Sequence, residues 1–97
     1  MAKYRLKISM LAREDLRELY REGLLTWGER QADQYYDALL EQFDLLCENP
    51  NLFRAVDEIR QGYRRSVCGV HAIYYRATES EVEIMAIIKH QDISRRL

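Results

Sequence analysis

Proline occurs once in 97 residues, at Pro50, so little interrupts helix or strand on either side of it. Glycine is nearly as sparse. Gly23, Gly28, Gly62 and Gly69 are dispersed, and no glycine-rich phosphate loop can be built from them. Two cysteines, Cys47 and Cys68, and two histidines, His71 and His90, do not make a metal-ligand set, and no CxxC, HExxH or GxSxG pattern occurs. No cofactor or metal is expected, and the cysteines read as buried reduced thiols. The longest aliphatic run, Ile84-Met85-Ala86-Ile87-Ile88, is far too short to cross a bilayer. The opening Met1-Ala2-Lys3-Tyr4 has no apolar core of a signal peptide, so the expected location is the cytoplasm, away from membranes.

What is present suits one small globular domain, with 47% hydrophobic and 32% charged residues. The net charge of −1 conceals an asymmetry. Residues 9–57 hold five Lys/Arg against eleven Asp/Glu, and the remainder holds ten against five. A basic face for an acidic partner is therefore expected. The pI near 6.1 argues against a dedicated nucleic-acid binder, and no sequence-specific nucleic-acid binding is expected.

Tyr4-Arg5-Leu6-Lys7-Ile8-Ser9 alternates as a half-buried strand, with Tyr4, Leu6 and Ile8 toward a core. Ser9 is placed to cap a helix, with Glu14 and Asp15 near its positive end. Ala12, Leu16, Leu19, Tyr20, Gly23 and Trp27 mark the buried stripe of that helix. Gly23 suits close packing or a local bend, and Gly28 suits the helix stop. A second helix begins at Glu29. Its stripe runs through Ala32, Tyr35, Tyr36, Leu39, Leu40, Phe43, Leu46 and Cys47, and Asn49-Pro50 ends it. So short a connection makes an αα-hairpin.

Residues 51–59 read as a loop. Residues 60–76 read as a strand hairpin turning near Gly69, rich in β-branched, aromatic and arginine residues. Alternation places Tyr63, Arg65 and Val67 opposite to Arg64, Ser66 and Cys68. A last strand alternates Val82, Ile84, Ala86 and Ile88 with Glu81, Glu83, Met85, Ile87 and Lys89. Asp92 is placed to cap one final helical turn. The order β-α-α-β-β-β gives an α+β fold, a helical hairpin packed on an antiparallel sheet, with a short C-terminal helix.

His71 and His90 are the available general acids or bases, and Arg60, Arg64, Arg65 and Arg76 the available phosphate ligands. A histidine among aliphatic strand residues is more often a hydrogen-bonded packing residue. Trp27, Tyr35 and Tyr36 at helical spacing read as core with polar tips at its rim. The i,i+4 pairs Arg13–Arg17 and Glu14–Glu18 bring like charges together and are mildly unfavourable.

The motifs Tyr4-Arg5-Leu6, Trp27-Gly28, Gln31-Ala32, Asn49-Pro50, Ile59-Arg60-Gln61-Gly62-Tyr63-Arg64-Arg65, His71-Ala72-Ile73-Tyr74-Tyr75-Arg76, Val82-Glu83-Ile84 and His90-Gln91 occur in this order over nearly the whole chain. In order and spacing the chain resembles the ParE branch of the RelE/ParE toxin superfamily. The resemblance implies a toxin of a type II toxin–antitoxin pair, neutralised by a ParD-like antitoxin and inhibiting DNA gyrase by binding rather than by catalysis. It implies antitoxin contacts at Tyr20, Trp27, Tyr36, Arg60, Arg64 and Arg65, and target contacts at His90, Gln91, Arg95 and Arg96. The family pattern His-Gln-x-Met-Asp is two residues shorter here, where Asp92 follows His90-Gln91 directly. The alternatives are a RelE-like, metal-independent endoribonuclease and a non-toxic member retained for partner binding.

Overall fold

The computed structural model describes residues 4–89. The elements are β1 (Arg5–Ile8), α1 (Met10–Trp27), α2 (Glu29–Glu48), β2 (Arg54–Ala55), β3 (Arg64–Cys68), β4 (His71–Ala77) and β5 (Glu81–Lys89). They form one five-stranded sheet in the order β1-β5-β4-β3-β2. β3, β4 and β5 make an antiparallel meander, β1 joins β5 in parallel, and β2 adds an antiparallel edge to β3. The α+β hairpin-on-sheet architecture is as expected, but the parallel β1–β5 pair makes the sheet mixed where a wholly antiparallel one was expected. The two-residue β2, within a segment read as loop, is new.

Ser9 caps α1 as anticipated, its Oγ accepting the Ala12 N–H at 3.1 Å. Gly28 ends α1 and begins α2 with φ +95°, a conformation that costs glycine nothing. Gly23 is where the helices touch: a Cβ there would stand 3.3 Å from that of Ala32. The main core lies between hairpin and sheet. It joins Ala12, Leu16 and Leu19 of α1, Leu39, Phe43 and Leu46 of α2, and Ile73, Tyr75, Val82, Ile84 and Ile87 of the sheet. Each buried Leu, Ile, Val or Phe among them is worth about 1.5–3 kcal/mol of transfer free energy.

The reverse face of the sheet carries a second cluster: Val56, Tyr63, Ala72, Tyr74, Ala86 and Ile88, with Ile59 and Met85 against it. β5 serves both cores because its register slips between Tyr74 and Tyr75, which pair with Ala86 and Ile84. Met85 is the extra residue of a β-bulge, so the alternation reverses there. Ile87 then joins Val82 and Ile84 against the helices, and Ala86 and Ile88 turn to the reverse face. The expected single alternation of β5 is corrected accordingly.

Two further expectations change at the N-terminal end. Leu6 is 42% exposed, because β1 is an edge strand and only Tyr4 and Ile8 pack on the main core. The first turn of α1 contains no acidic residue. Asp15 turns instead to β5, where its Oδ2 accepts the Ile87 N–H at 3.0 Å. β1 pairs β5 only as far as Ile84, so beyond it the β5 edge away from β4 has no strand neighbour among the described residues. α1 takes over: Ser9 donates to the Met85 carbonyl at 3.2 Å, Asp15 takes the Ile87 amide, and Glu22 pairs with Lys89 at 3.3 Å. Polar side chains of one helix thus cover the exposed strand edge.

Candidate functional site: the groove between the helices

α1 and α2 bury one stripe on the sheet, and beside it a groove opens between them that reaches Ile8 of β1. Its volume is about 580 Å³, and it is lined by Ile8, Arg13, Leu16, Arg17, Tyr20, Asp33, Tyr36 and Leu40. The floor is aliphatic and aromatic. Tyr20 and Tyr36 meet edge to face, ring centroids 5.6 Å apart. The Tyr20 hydroxyl donates to Asp33 Oδ1 at 2.5 Å and ties the two helices across the groove. That hydrogen bond, with lesser contributions from burial and the negative charges of Asp33 and Glu29, pushes the Tyr20 hydroxyl up to about 12.

The charge on the rim is uneven. Arg13 Nε donates to the Ile8 carbonyl at 3.2 Å, which holds its guanidinium at the groove mouth. Arg17 has no ion-pair partner among the described residues. The Arg13–Arg17 spacing, unfavourable for an isolated helix, thus places two cations on one rim of an apolar channel. Such a channel fits a segment presenting apolar anchors with an acidic flank.

Of the residues singled out from sequence, Tyr20 and Tyr36 line the groove. Trp27 does not. It is 51% exposed at the hairpin end, edge-on to Tyr35 at 6.2 Å, so the expectation that it is core is corrected. Tyr35 and Tyr36 are half-buried at the rim. Arg60, Arg64 and Arg65 are separated. Arg64 lies on the helix side and donates to the Phe53 carbonyl at 2.6 Å. Arg65 lies on the opposite face, and the Arg60 guanidinium sits 5.8 Å from the Tyr63 ring centroid. Arg13, Leu16, Arg17, Asp33 and Leu40 were not singled out as binding residues. The signal that could have found them is the retained like-charge pair Arg13–Arg17 beside an over-wide apolar face. His90, Gln91, Arg95 and Arg96, and the turn capped by Asp92, lie outside the described residues.

His71 is a hydrogen-bonded packing residue on the helix-covered side. The Tyr35 hydroxyl lies 2.8 Å from the Cys68 carbonyl and 2.7 Å from His71 Nδ1. One hydroxyl has one proton. Donating it to the carbonyl requires His71 Nδ1 to carry a hydrogen and donate back. His71 therefore stands on the other side of the sheet from Arg65 and Tyr74, and these three do not converge on one cleft. Among the described residues no cluster of His, Cys, Asp and Glu could hold a metal ion. No described helix is long and apolar enough to cross a membrane.

A helical hairpin on a mixed five-stranded sheet, with an apolar groove beside the core, defines a small α+β domain. The chain belongs to the ParE toxin family of the type II toxin–antitoxin system parDE, whose family model matches residues 6–93. It is 35% identical over 92 residues to Toxin ParE1 of Mycobacterium tuberculosis, covering 93% of this chain and 94% of the relative. It is 32% identical over 90 residues to Toxin ParE1 of Caulobacter vibrioides, covering 93% and 92%. The fold matches a solved chain of the chromosomal ParDE toxin–antitoxin system from P. aeruginosa, with a TM-score of 0.79 and 20% identity over 90% of this chain and 96% of that one.

Proposed function

We propose that this ParE-family toxin is neutralised by a ParD-like antitoxin whose segment folds into the α1–α2 groove, and that the free toxin acts in the bacterial cytoplasm by binding and inhibiting DNA gyrase without catalysing a reaction. The observation that carries the antitoxin half is the groove itself. Leu16, Tyr36 and Leu40 offer apolar seats, and Arg13 and Arg17 stand where a carboxylate of the segment would flank them. A free antitoxin segment would be disordered and would fold on contact, trading ordering entropy for burial of its apolar side. The gyrase half rests on the family resemblance and is tested separately.

Two experiments divide the reading. Calorimetry with the cognate antitoxin compares wild type with Leu40→Ala and Arg17→Glu, both at groove positions outside the main core. Removing an interface anchor or reversing a rim charge should weaken binding at least ~10-fold, a loss of about 1.4 kcal/mol or more. Unchanged affinity in both variants removes the groove. Induction in bacteria should give filamentous cells, DNA-damage signalling and inhibited supercoiling by the purified protein. Prompt translation arrest with cleaved mRNA would replace the gyrase reading with ribonuclease action, and unimpaired growth with soluble expression would make this member non-toxic.

A further inference from the structure

The two helices give the groove rims of opposite charge. On α1, Arg13 and Arg17 line it, and both are exposed. On α2, Asp33 lines it. Asp37 lies four residues after Asp33, and Asp44 four after the lining residue Leu40, so each extends the same face by one turn. At about 100° per residue, Asp33, Asp37 and Asp44 fall within about 40° of one another and make a single row. Asp37 and Asp44 are exposed. Among the described residues neither holds an ion pair, and Arg17 holds none. Opposite charges on neighbouring helices can close into bridges. Here the Tyr20–Asp33 hydrogen bond crosses the groove, but no ion pair joins the arginines to the aspartates. The apolar seats Leu16, Tyr36 and Leu40 are flanked by two rows of unsatisfied and opposite charge.

We propose that the groove selects its occupant by charge on both flanks. The segment is an amphipathic helix, acidic on the side that meets Arg13 and Arg17 and basic on the side that meets Asp33, Asp37 and Asp44. This rests on the groove being the antitoxin's seat, and adds to it the basic flank and the direction of the helix. Apolar anchors at helical spacing fill the floor. A segment acidic on both sides would set carboxylates against the α2 row, and like charges juxtaposed at an interface cost affinity.

Direction follows from the same rows. Turning a helix end for end exchanges its flanks, so that each would meet its own sign. The rims therefore admit one direction and oppose the other. They also discriminate between segments with the same apolar spacing but different flanks, as the e and g positions do in coiled coils. From Arg13 to Tyr20 the groove follows seven residues of α1, about 10 Å, so roughly two turns of the segment lie between the rows.

The test is calorimetry of the cognate antitoxin with wild type, Leu40→Ala, Arg17→Glu, Asp37→Asn and Asp37→Lys, at low salt and at about 1 M salt. Asp37 is exposed and unbridged, so its substitution leaves the core as it is. With a basic flank on the α2 side, Asp37→Lys weakens binding about 5–10-fold at low salt, and Asp37→Asn by less. Both losses vanish at about 1 M, where the screening length is about 3 Å. A segment acidic on both flanks gives the opposite sign, because Asp37→Lys then removes a repulsion and tightens binding. Tighter or unchanged binding overturns the basic flank, while weakening by Leu40→Ala and Arg17→Glu still keeps the groove. A loss in Asp37→Lys that persists at about 1 M salt overturns selection by charge. If neither Leu40→Ala nor Arg17→Glu weakens binding, the groove is not the seat, and both flanks fall with it.

Discussion

Gly69→Ala should be far more damaging than a methyl group in an exposed turn ordinarily is. Gly69 links β3 to β4 with φ +60°, where an L-residue is strained by roughly 1–2 kcal/mol. Its new Cβ would also stand 2.6 Å from Tyr35 Cε1 and 2.7 Å from the Tyr35 hydroxyl oxygen. Ordinary contact begins near 3.4 Å, so the ring must retreat by 3.4 − 2.6 = 0.8 Å. Tyr35 is poorly placed to do so. Its hydroxyl is fixed at 2.8 Å to Cys68 and 2.7 Å to His71, and its ring meets Trp27 edge-on at 6.2 Å. Lengthening both hydrogen bonds by most of an ångström takes them out of bonding range, at about 1 kcal/mol each.

The strain and the two lost bonds together come to about 3–4 kcal/mol, a sizeable share of the 5–15 kcal/mol that holds a domain folded. Urea unfolding followed by circular dichroism reads this as a lower midpoint at unchanged slope. The control is Tyr35→Leu, in which the obstructing ring edge and hydroxyl are gone. In that background Gly69→Ala should cost only the backbone term, about 1–2 kcal/mol. Equal costs in the two backgrounds would show that Tyr35 does not brace the turn.

Asp15→Ala should destabilise by about 1–3 kcal/mol, because it strips the Ile87 amide of its acceptor, whereas Glu14→Ala on the exposed side should be near neutral. Hydrogen exchange at Ile87 should quicken in the first variant and not in the second. Stability should also fall on the alkaline side. Burial, opposed by Arg64, pushes the Tyr75 hydroxyl up to about 12, and the hydrogen bond to Asp33 does the same for Tyr20. Both groups hold their protons more tightly folded than unfolded. Their contribution is complete below the ordinary value of 10 and is lost as pH rises through about 12. Tyrosinate absorbance should therefore lag in the folded protein, and Asp33→Asn should bring the Tyr20 step back toward 10. An Asp33→Asn titration identical to wild type would contradict the assignment.

The helices were legible because each writes a long apolar period bounded by a clear stop, Gly28 and then Asn49-Pro50. The hairpin of β3 and β4 was legible from its β-branched and aromatic content. Three features escaped for physical reasons. β2 is too short to carry a period, and it exists only because β3 offers it a partner. The face reversal at Met85 is hidden because both sides of β5 are apolar there, so alternation has no contrast to lose. The sheet arginines look like one cluster in sequence, but adjacent strand residues point to opposite faces. Arg64 accordingly serves the Phe53 carbonyl while Arg65 lies across from Tyr74 on the reverse face.

The groove was hidden by a deeper ambiguity. Core-facing Leu39, Phe43 and Leu46 of α2 repeat at steps of three and four. Groove-lining Asp33, Tyr36 and Leu40 repeat in the same way. On α1 the core stripe of Ala12, Leu16 and Leu19 runs beside Arg13, Leu16, Arg17 and Tyr20, with Leu16 common to both. Two stripes of equal period, offset by about one residue, merge in sequence into one apolar face that looks merely wide. Only exposure separates them: Leu39 is fully buried and Leu40 is 37% exposed. A helix that needed only to cover a sheet would keep the second stripe polar, since a half-exposed leucine contributes less to folding than a buried one. Apolar residues on that stripe, with Arg13 and Arg17 at its margin in a predominantly acidic hairpin, fit the proposal that a second chain completes the burial. On the proposed reading, the excess width of the apolar face is the trace that a docking groove leaves in the sequence of a helix already committed to a core.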